Sequence, residues 1–253
     1  LRIPGNLSQP APAVLCLHGH VPGCFFGKRW MDVTAIELTR RGFVTLAPDM
    51  LPFGDRRDTE LDEMEWENGR GSAMFWGERT WFQTLVLQAR SLLGVHVWEL
   101  RRAIDLLEDI EEVNSARIGV TGHSGGGVNT LWLSSMDERI ACAACSAGVQ
   151  SYRRMADERY PTAVWNLAPI LTVGDAEDLI GLVAPRPFLA LEGVSDHDFN
   201  AEYNREHVYP NARQYYECYD AGDRLVQHVH EGGHDYTAEL RQVIYDWFER
   251  WIG

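Results

Sequence analysis

A serine set among glycines is the residue of this sequence with the most evident chemical potential. It lies in ARIGVTGHSGGG (residues 116–127), where Gly122, Ser124 and Gly126 form a G-x-S-x-G pattern. The apolar residues before it predict a strand, and GGGVNTLWL after it predicts a helix. A serine on a sharp strand-to-helix turn exposes its hydroxyl, and small neighbours relieve the crowding. We therefore predict that Ser124 is a nucleophile and that the backbone N–H of Gly125 binds a developing oxyanion.

A serine nucleophile needs a general base, and the candidates are the histidines that follow Ser124 along the chain. We predict that the base is His234, because it lies in the loop EGGHDY just past the strand-like RLVQHVHE (residues 224–231). His228 and His230 fall inside that strand pattern, where an exposed or hydrogen-bonded imidazole is the simpler interpretation.

The acid that would orient this histidine is expected in FLALEGVSDHDF (residues 188–199). Asp196 comes just beyond a buried strand and is the preferred candidate, with Asp198 second and Glu192 at the strand's end. Aspartates are also common in surface turns, which is the alternative interpretation of this stretch.

The loop after the strand AVLCLHG (residues 13–19) is expected to supply the second oxyanion donor, a backbone N–H near His20. The side chains of His18 and His20 are expected to shape the pocket. We assign His123, the neighbour of Ser124, to substrate binding.

These residues need a scaffold that gathers the ends of several strands. Strand-like and helix-like stretches alternate along the chain, which predicts an α/β fold with a mostly parallel twisted sheet and helices on both faces. A single domain is expected over residues 1–253. The segment 211–220 fits either a helix or a strand. The strand-like stretches are AVLCLHG, FVTLAPD, RIGVTG, IACAACSAG, RPFLALEG and RLVQHVHE; the helical ones are MDVTAIELTRRG, residues 93–107 and the end of the chain from residue 238.

Two stretches, at about residues 49–82 and 150–185, are too long for ordinary connections and are expected to be cap-like insertions. The first is acidic and contains Trp66, Trp76 and Trp81, which we assign to substrate binding. An acidic rim repels anions and indoles stack on sugar rings, so the pattern favours a neutral ester such as an acylated carbohydrate. The alternative is that these tryptophans pack the cap and the acids are solvated.

The composition of the chain argues against some classes of binding partner. The net charge of −14, from 23 basic and 37 acidic residues, argues against nucleic acid and anionic membranes as partners. No apolar run approaches the length of a membrane span, and no metal or organic cofactor is expected. Cys142 and Cys145 are expected in the core rather than as a redox pair. The sequence is compatible with a homo-oligomer. The first ten residues lack a signal-peptide pattern, which favours the cytoplasm, while the missing initiator Met is compatible with a removed leader.

Six segments together resemble the α/β-hydrolase superfamily, and within it the branch of dienelactone hydrolases and acetyl xylan esterases that is related to prolyl-oligopeptidase catalytic domains. The resemblance implies that Ser124 is the nucleophile, Asp196 the acid and His234 the base. Dienelactone hydrolases use a cysteine nucleophile, where this chain has serine. Family members begin with one or two further strands, so the sheet is expected to be trimmed at one edge. The segments are LCLHGH, GFVTLAPDMLPFGDR, ARIGVTGHSGGG, MDERIACAACSAG, LVAPRPFLALEGVSD and EGGHDY.

The implied function is that of a serine carboxylic-ester hydrolase of the carboxylesterase or acetyl-esterase type, acting through an acyl-enzyme. A serine peptidase or amidase of the prolyl-oligopeptidase type is the nearest alternative. A metal-dependent hydrolase would use His228, His230, His234 and Asp235 as ligands, with His18 and His20 as a second pair, but leaves the setting of Ser124 unexplained. A non-catalytic binding module is a further alternative, against which the complete set of serine, acid and histidine argues.

Overall fold

The computed structural model describes residues 1–5, 7–20, 27–57, 73–158, 167 and 169–253, except for the side chains of residues 73–76. Its centre is a six-stranded sheet of order β2-β1-β3-β4-β5-β6, in which each strand runs parallel to its neighbours. All the carboxyl ends of the strands therefore meet at one edge of the sheet. The strands are β1 (Ala11–Leu17), β2 (Val44–Leu46), β3 (Val113–His123), β4 (Ile140–Ser146), β5 (Phe188–Gly193) and β6 (Leu225–His230).

Helices connect the strands, as parallel neighbours require. Short 3-10 turns lie at Gly27–Met31, Gly54–Arg56, Ile170–Thr172 and Gly222–Arg224, and Ala201–Tyr203 with the π turn Asn204–Val208 leads into α7. The helices are α1 (Asp32–Arg40), α2 (Ala73–Leu87), α3 (Leu92–Glu108), α4 (Gly125–Met136), α5 (Tyr152–Glu158), α6 (Ala176–Val183), α7 (Tyr209–Glu217) and α8 (Ala238–Ile252). None of the helices among the described residues is long and apolar enough to cross a bilayer.

The sheet is buried on both faces because successive side chains of a strand point to opposite sides. In β1, Leu15 and Leu17 belong to the larger core cluster, which also holds buried residues of α3, α4 and α6. Val14 and Cys16 belong to the second cluster, built with α1 and α8. Because helices cover both faces of the sheet, the sequences of the strands are continuous apolar runs and do not alternate between apolar and polar residues.

The two cysteines of C-A-A-C lie in β4 and are fully buried. Cys142 belongs to the cluster with α8, whereas Cys145 belongs to the cluster with α4, so their thiols lie on opposite faces of the sheet. Burial raises the pKa of both thiols well above the usual value. The expectation that they are core residues is confirmed, and a redox pair is excluded by geometry.

The predicted mostly parallel sheet is confirmed, and the ambiguous segment 211–220 is largely helical. The predicted strand FVTLAPD is shorter, with only Val44–Leu46 in the sheet. Pro48 has no N–H to donate, and the Asp49 carboxylate instead accepts the backbone N–H groups of Lys28 and Asp55. Beside β2, Arg2 forms an antiparallel bridge with Thr45. The central parts of both predicted insertions, residues 58–72 and 159–166, lie outside the described residues.

Candidate active site

Ser124 stands between β3 and α4, at the carboxyl edge of the sheet. Its backbone has φ 59° and ψ −123°, a region that residues other than glycine rarely adopt. Its N–H donates to the carbonyl of Ser146 at 2.9 Å, and its own carbonyl accepts the N–H of Val128 at 2.9 Å. The strained conformation is thus held by β4 on one side and by the first turn of α4 on the other.

The turn is possible because Gly126 has no side chain. A Cβ on Gly126 would lie 2.1 Å from the carbonyl oxygen of Leu17, the last residue of β1. The loop after β1 approaches the serine equally closely, since a Cβ on Gly19 would lie 2.8 Å from Cβ of Ser124. The glycines that define the sequence pattern therefore allow close contact between two strand ends.

The loops after β5 and β6 are joined by backbone hydrogen bonds. Val194 donates to the carbonyl of His230, and Ser195 donates to that of Gly232, both at 2.9 Å. Gly193 allows this approach, because a Cβ there would lie 2.1 Å from the carbonyl oxygen of Gly233. The two loops form one unit that carries Asp196 and His234.

Asp196 and His234 form a hydrogen-bonded pair, with 2.7 Å between Oδ2 of the acid and Nδ1 of the imidazole. The other carboxylate oxygen, Oδ1, accepts the backbone N–H groups of Asp198 at 2.9 Å and Phe199 at 3.2 Å. Burial acts to raise the pKa of Asp196, but the hydrogen bond from His234 and these N–H groups outweigh it and lower the pKa. The same partner raises the pKa of His234 against the opposing effect of burial.

The imidazole of His234 is packed between two rings. It stacks on Phe199 with centroids 5.7 Å apart and an interplanar angle of 14°, and its centroid lies 4.7 Å from that of His123. His123 precedes Ser124 in the chain, so this contact joins the base candidate to the residue next to the nucleophile candidate. An ionised Asp196 holds the proton on Nδ1, which leaves Nε2 as the acceptor.

His123, which the sequence assigns to substrate binding, is only 4% exposed. Its Nδ1 contacts Oγ of Ser146 at 2.9 Å, and its ring stacks on Trp30 and lies against Tyr236. Burial lowers its pKa to about 3. His123 is thus buried and packs against His234, and its role in substrate binding stays a prediction.

The other acid candidates do not contact His234 through a hydrogen bond among the described residues. Asp198 donates its backbone N–H to Asp196. Glu192 is fully buried, and its carboxylate accepts hydrogen bonds from Asn204, Tyr209 and Gln227. Of the three, Asp196 has the position that the predicted role requires.

The histidines proposed for a metal-dependent hydrolase do not gather into one cluster within the described part of the chain. There, Asp196, Asp198 and His234 are the group of three whose ligand atoms lie close enough to hold a metal ion, within 4.8 Å of one another. Nδ1 of His230 accepts the N–H of Gly232, and Nε2 of His18 accepts that of Met50. Both nitrogens are thus used within the protein.

Comparison with known proteins agrees with this architecture. No protein-family model matches the chain. The protein named "Putative hydrolase YtaP" of Bacillus subtilis (strain 168) is 26% identical over 263 residues, which cover 98% of this chain and 81% of that protein. A carbohydrate esterase family 15 glucuronoyl esterase from Caldicellulosiruptor kristjansonii superposes with a TM-score of 0.69 at 21% identity, covering 98% of this chain and 70% of the other. A structure named as a putative acetyl xylan esterase from Bacteroides fragilis superposes with a TM-score of 0.67 at 19% identity, covering 90% and 61%.

The chain has the α/β-hydrolase fold. The predicted fold class is confirmed. In this α/β-hydrolase fold the serine turn follows β3, the acid follows β5 and the histidine follows β6. All three lie at the carboxyl edge, because the strands between them are parallel.

The tryptophans assigned to substrate binding are only partly described. Trp66 and the side chain of Trp76 lie outside the described residues. Trp81 lies in α2, where it is partly buried and packs against the larger core cluster. The role of these residues in substrate binding stays a prediction.

Sequence reasoning missed a contact close to Gly125. Glu78, which the sequence groups with the acidic rim, is 2% exposed, and its Oε2 lies 2.6 Å from Nε2 of His20. Its surroundings cannot be inferred from an acidic segment in which it is one acid among many. Phe199 was also missed, although its position three residues after Asp196 is a signal that could have indicated it.

Proposed function

We propose that this α/β-hydrolase is a serine carboxylic-ester hydrolase that acts through an acyl-enzyme on a neutral small ester, with acylated carbohydrates as the favoured substrate class. The observation that carries the proposal is the hydrogen bond between Asp196 and His234 at the sheet edge where the strained Ser124 turn stands. A strained serine alone is compatible with other functions, but a strained serine turn at the same sheet edge as an acid–imidazole pair supports an activated nucleophile.

The proposed reaction begins with attack of Ser124 Oγ on the ester carbonyl carbon while Nε2 of His234 takes the hydroxyl proton. Asp196 holds the imidazole in the required tautomer and stabilises its charged form. The π electrons of the carbonyl move to its oxygen, which the backbone N–H groups of Gly125 and His20 would bind. The tetrahedral intermediate collapses, the alcohol leaves with the proton from His234, and an acyl-serine remains.

Water repeats the same steps on the acyl-enzyme. Nε2 of His234 takes a proton from water as the water oxygen bonds to the acyl carbon. The second tetrahedral intermediate then expels Ser124 Oγ, which recovers the proton. The products are a carboxylic acid, an alcohol and the free enzyme, so no further reactant is needed.

The substrate class is supported by the names of two similar structures, one named as a carbohydrate esterase family 15 glucuronoyl esterase and the other as a putative acetyl xylan esterase. The net charge of −14 also favours a neutral rather than an anionic substrate.

Short-chain p-nitrophenyl esters and a fluorophosphonate probe test the proposal. We expect hydrolysis of the acetyl and butyryl esters and covalent labelling of Ser124, and we expect Ser124→Ala to abolish both. Ser134→Ala is the matched control, because Ser134 is buried near the other end of α4, the helix that follows Ser124, and donates to the Thr130 carbonyl. A panel of acetylated sugars, methyl uronates and peptide amides then ranks the substrate classes.

Three results would overturn the proposal. Loss of turnover on adding EDTA, with activity retained by Ser124→Ala, would favour the metal-dependent alternative. Faster cleavage of peptide amides than of any ester would favour the peptidase alternative. Absence of hydrolysis and of probe labelling would favour a binding module.

A further inference from the structure

A second acid–imidazole pair lies beside Ser124 and has no part in the Asp196–His234 pair. Nε2 of His20, in the loop after β1, lies 2.6 Å from Oε2 of Glu78 in α2. The two side chains are 12% and 3% exposed. The pair joins the predicted oxyanion loop to the helix that ends the acidic insertion.

The His20 ring occupies the space directly over Gly125. A Cβ on Gly125 would lie 3.3 Å from Nδ1 and 3.4 Å from Cε1 of that ring. Gly125 is the residue whose N–H is predicted to bind the oxyanion. The imidazole is therefore close to the position at which negative charge would develop during the proposed reaction.

The burial of Glu78 favours a partner that can carry a positive charge. A carboxylate removed from water is costly unless it is paired, and within the described residues His20 is its hydrogen-bond partner. The two other imidazoles that line this small cavity cannot supply the charge, because burial lowers the pKa of His18 to about 4 and also lowers that of His96. The Phe53 ring lies edge-on to His18 and His20 and helps to exclude water.

We infer that His20, paired with Glu78, places a positive charge at the oxyanion hole. This inference rests on the proposed esterase function and deepens it. As Ser124 Oγ bonds to the carbonyl carbon and the π electrons move to oxygen, the His20 imidazolium stabilises the oxyanion without transferring a proton. The charge effect ends when the carbonyl double bond re-forms and the leaving group departs. Glu78 is then a positioning residue that acts through His20.

A double-mutant cycle with His20→Gln and Glu78→Gln tests this inference. Both variants keep a hydrogen-bonding amide but remove the charge. We expect His20→Gln to lower kcat on p-nitrophenyl acetate about a hundredfold and Glu78→Gln at least about tenfold, with KM little changed. Because Glu78 acts through His20, the double variant should be no slower than His20→Gln alone.

Inhibition by a boronic acid is a second measurement, which should not change if Glu78 has only a structural role. Boronate forms an anionic tetrahedral adduct with the serine, so Glu78→Gln should weaken inhibition by the same factor as it lowers kcat. Asp137→Asn is the matched control: Asp137 is also a buried acid paired with a cation, Arg139, but it lies at the opposite end of α4. That variant should leave kcat and boronate affinity unchanged.

The outcomes separate the two proposals. Wild-type protein that neither hydrolyses esters nor reacts with the fluorophosphonate overturns the esterase function and this inference with it. Normal labelling of Ser124 together with unchanged kcat and boronate affinity in Glu78→Gln overturns this inference alone. Independent, multiplicative losses in the cycle do the same. If His20→Gln fails to fold, the kcat and boronate measurements on Glu78→Gln decide the question.

Discussion

Nδ1 of His234 lies 2.7 Å from Oδ2 of Asp196, although 38 positions separate the two residues in the chain. Asp196 is 5% exposed, and its carboxylate is held at the other oxygen by two backbone N–H groups, so its orientation is set before any substrate binds. The geometry of the imidazole thus depends on a carboxylate that the backbone itself positions.

Replacement of this acid is the first prediction. We expect Asp196→Asn to lower kcat/KM for p-nitrophenyl acetate by about 10³- to 10⁴-fold, because an amide at this position favours the wrong imidazole tautomer. Asp198→Asn is the control, since its backbone N–H rather than its carboxylate supports Asp196. A larger loss in Asp198→Asn than in Asp196→Asn would show that Asp198, and not Asp196, is the acid.

The pH dependence of the reaction is the second prediction. The base must be neutral, and Asp196 raises the pKa of His234 above its ordinary value of 6.5. As the pH falls through this raised pKa the imidazole is protonated, so we expect the acid limb of kcat/KM to have its midpoint above pH 6.5. His123 stays uncharged in this range, because burial lowers its pKa to about 3.

Asp196→Asn should also move the residual acid limb to lower pH, since the carboxylate that stabilises the charged imidazole is lost. A midpoint in the wild-type protein that lies below 6.5, or one that the variant does not move, would contradict the assignment of this limb to His234.

The close approach of the two loops is the basis of a third prediction. In Gly193→Ala the new methyl group would meet the Gly233 carbonyl oxygen at 2.1 Å, so the loop that carries His234 must shift. A displacement of about 1 Å costs about a hundredfold in rate, and we expect a loss of this order in kcat/KM. Gly222→Ala is the control, because a Cβ there has no atom within 4 Å. Full activity in Gly193→Ala would show that the two loops need not touch for function.

Acid stability gives a fourth prediction, remote from the site. Burial acts to raise the pKa of Asp137, but hydrogen bonds from Arg139 and Arg101 outweigh it and lower the pKa from 3.8 to about 2. The stability this supplies is complete above the unfolded-state pKa and is lost as the pH falls through the folded-state pKa. The shift corresponds to about 2 kcal/mol.

We therefore expect Asp137→Asn to lower the free energy of unfolding in urea by about 2 kcal/mol at neutral pH. The difference from wild type should shrink between about pH 4 and pH 2, the range set by the lowered pKa of Asp137. Asp246→Asn, at an exposed carboxylate on α8, should leave the free energy of unfolding within about 0.5 kcal/mol of wild type. A constant difference across the acid range would assign the effect to packing rather than to charge.

The sequence by itself determined the features that depend on neighbouring residues. The strands on either side of Ser124 in the chain can be predicted because burial on both faces of the sheet requires apolar runs. The turn at Ser124 can be predicted because only glycines allow its close contacts. The order of strands and helices then predicts a parallel sheet, whose carboxyl ends must share one edge.

Only the tertiary structure decided which polar atoms meet across that edge. Asp196 and Asp198 are the same residue type and lie two positions apart in the chain. The choice between them depends on which carboxylate the backbone N–H groups orient toward His234. Glu78 and His20 form a hydrogen-bonded pair although 58 positions separate them in the chain, and His123 is buried. Such pairings depend on distances and burial in three dimensions. Residue type and spacing along the chain give no information on either.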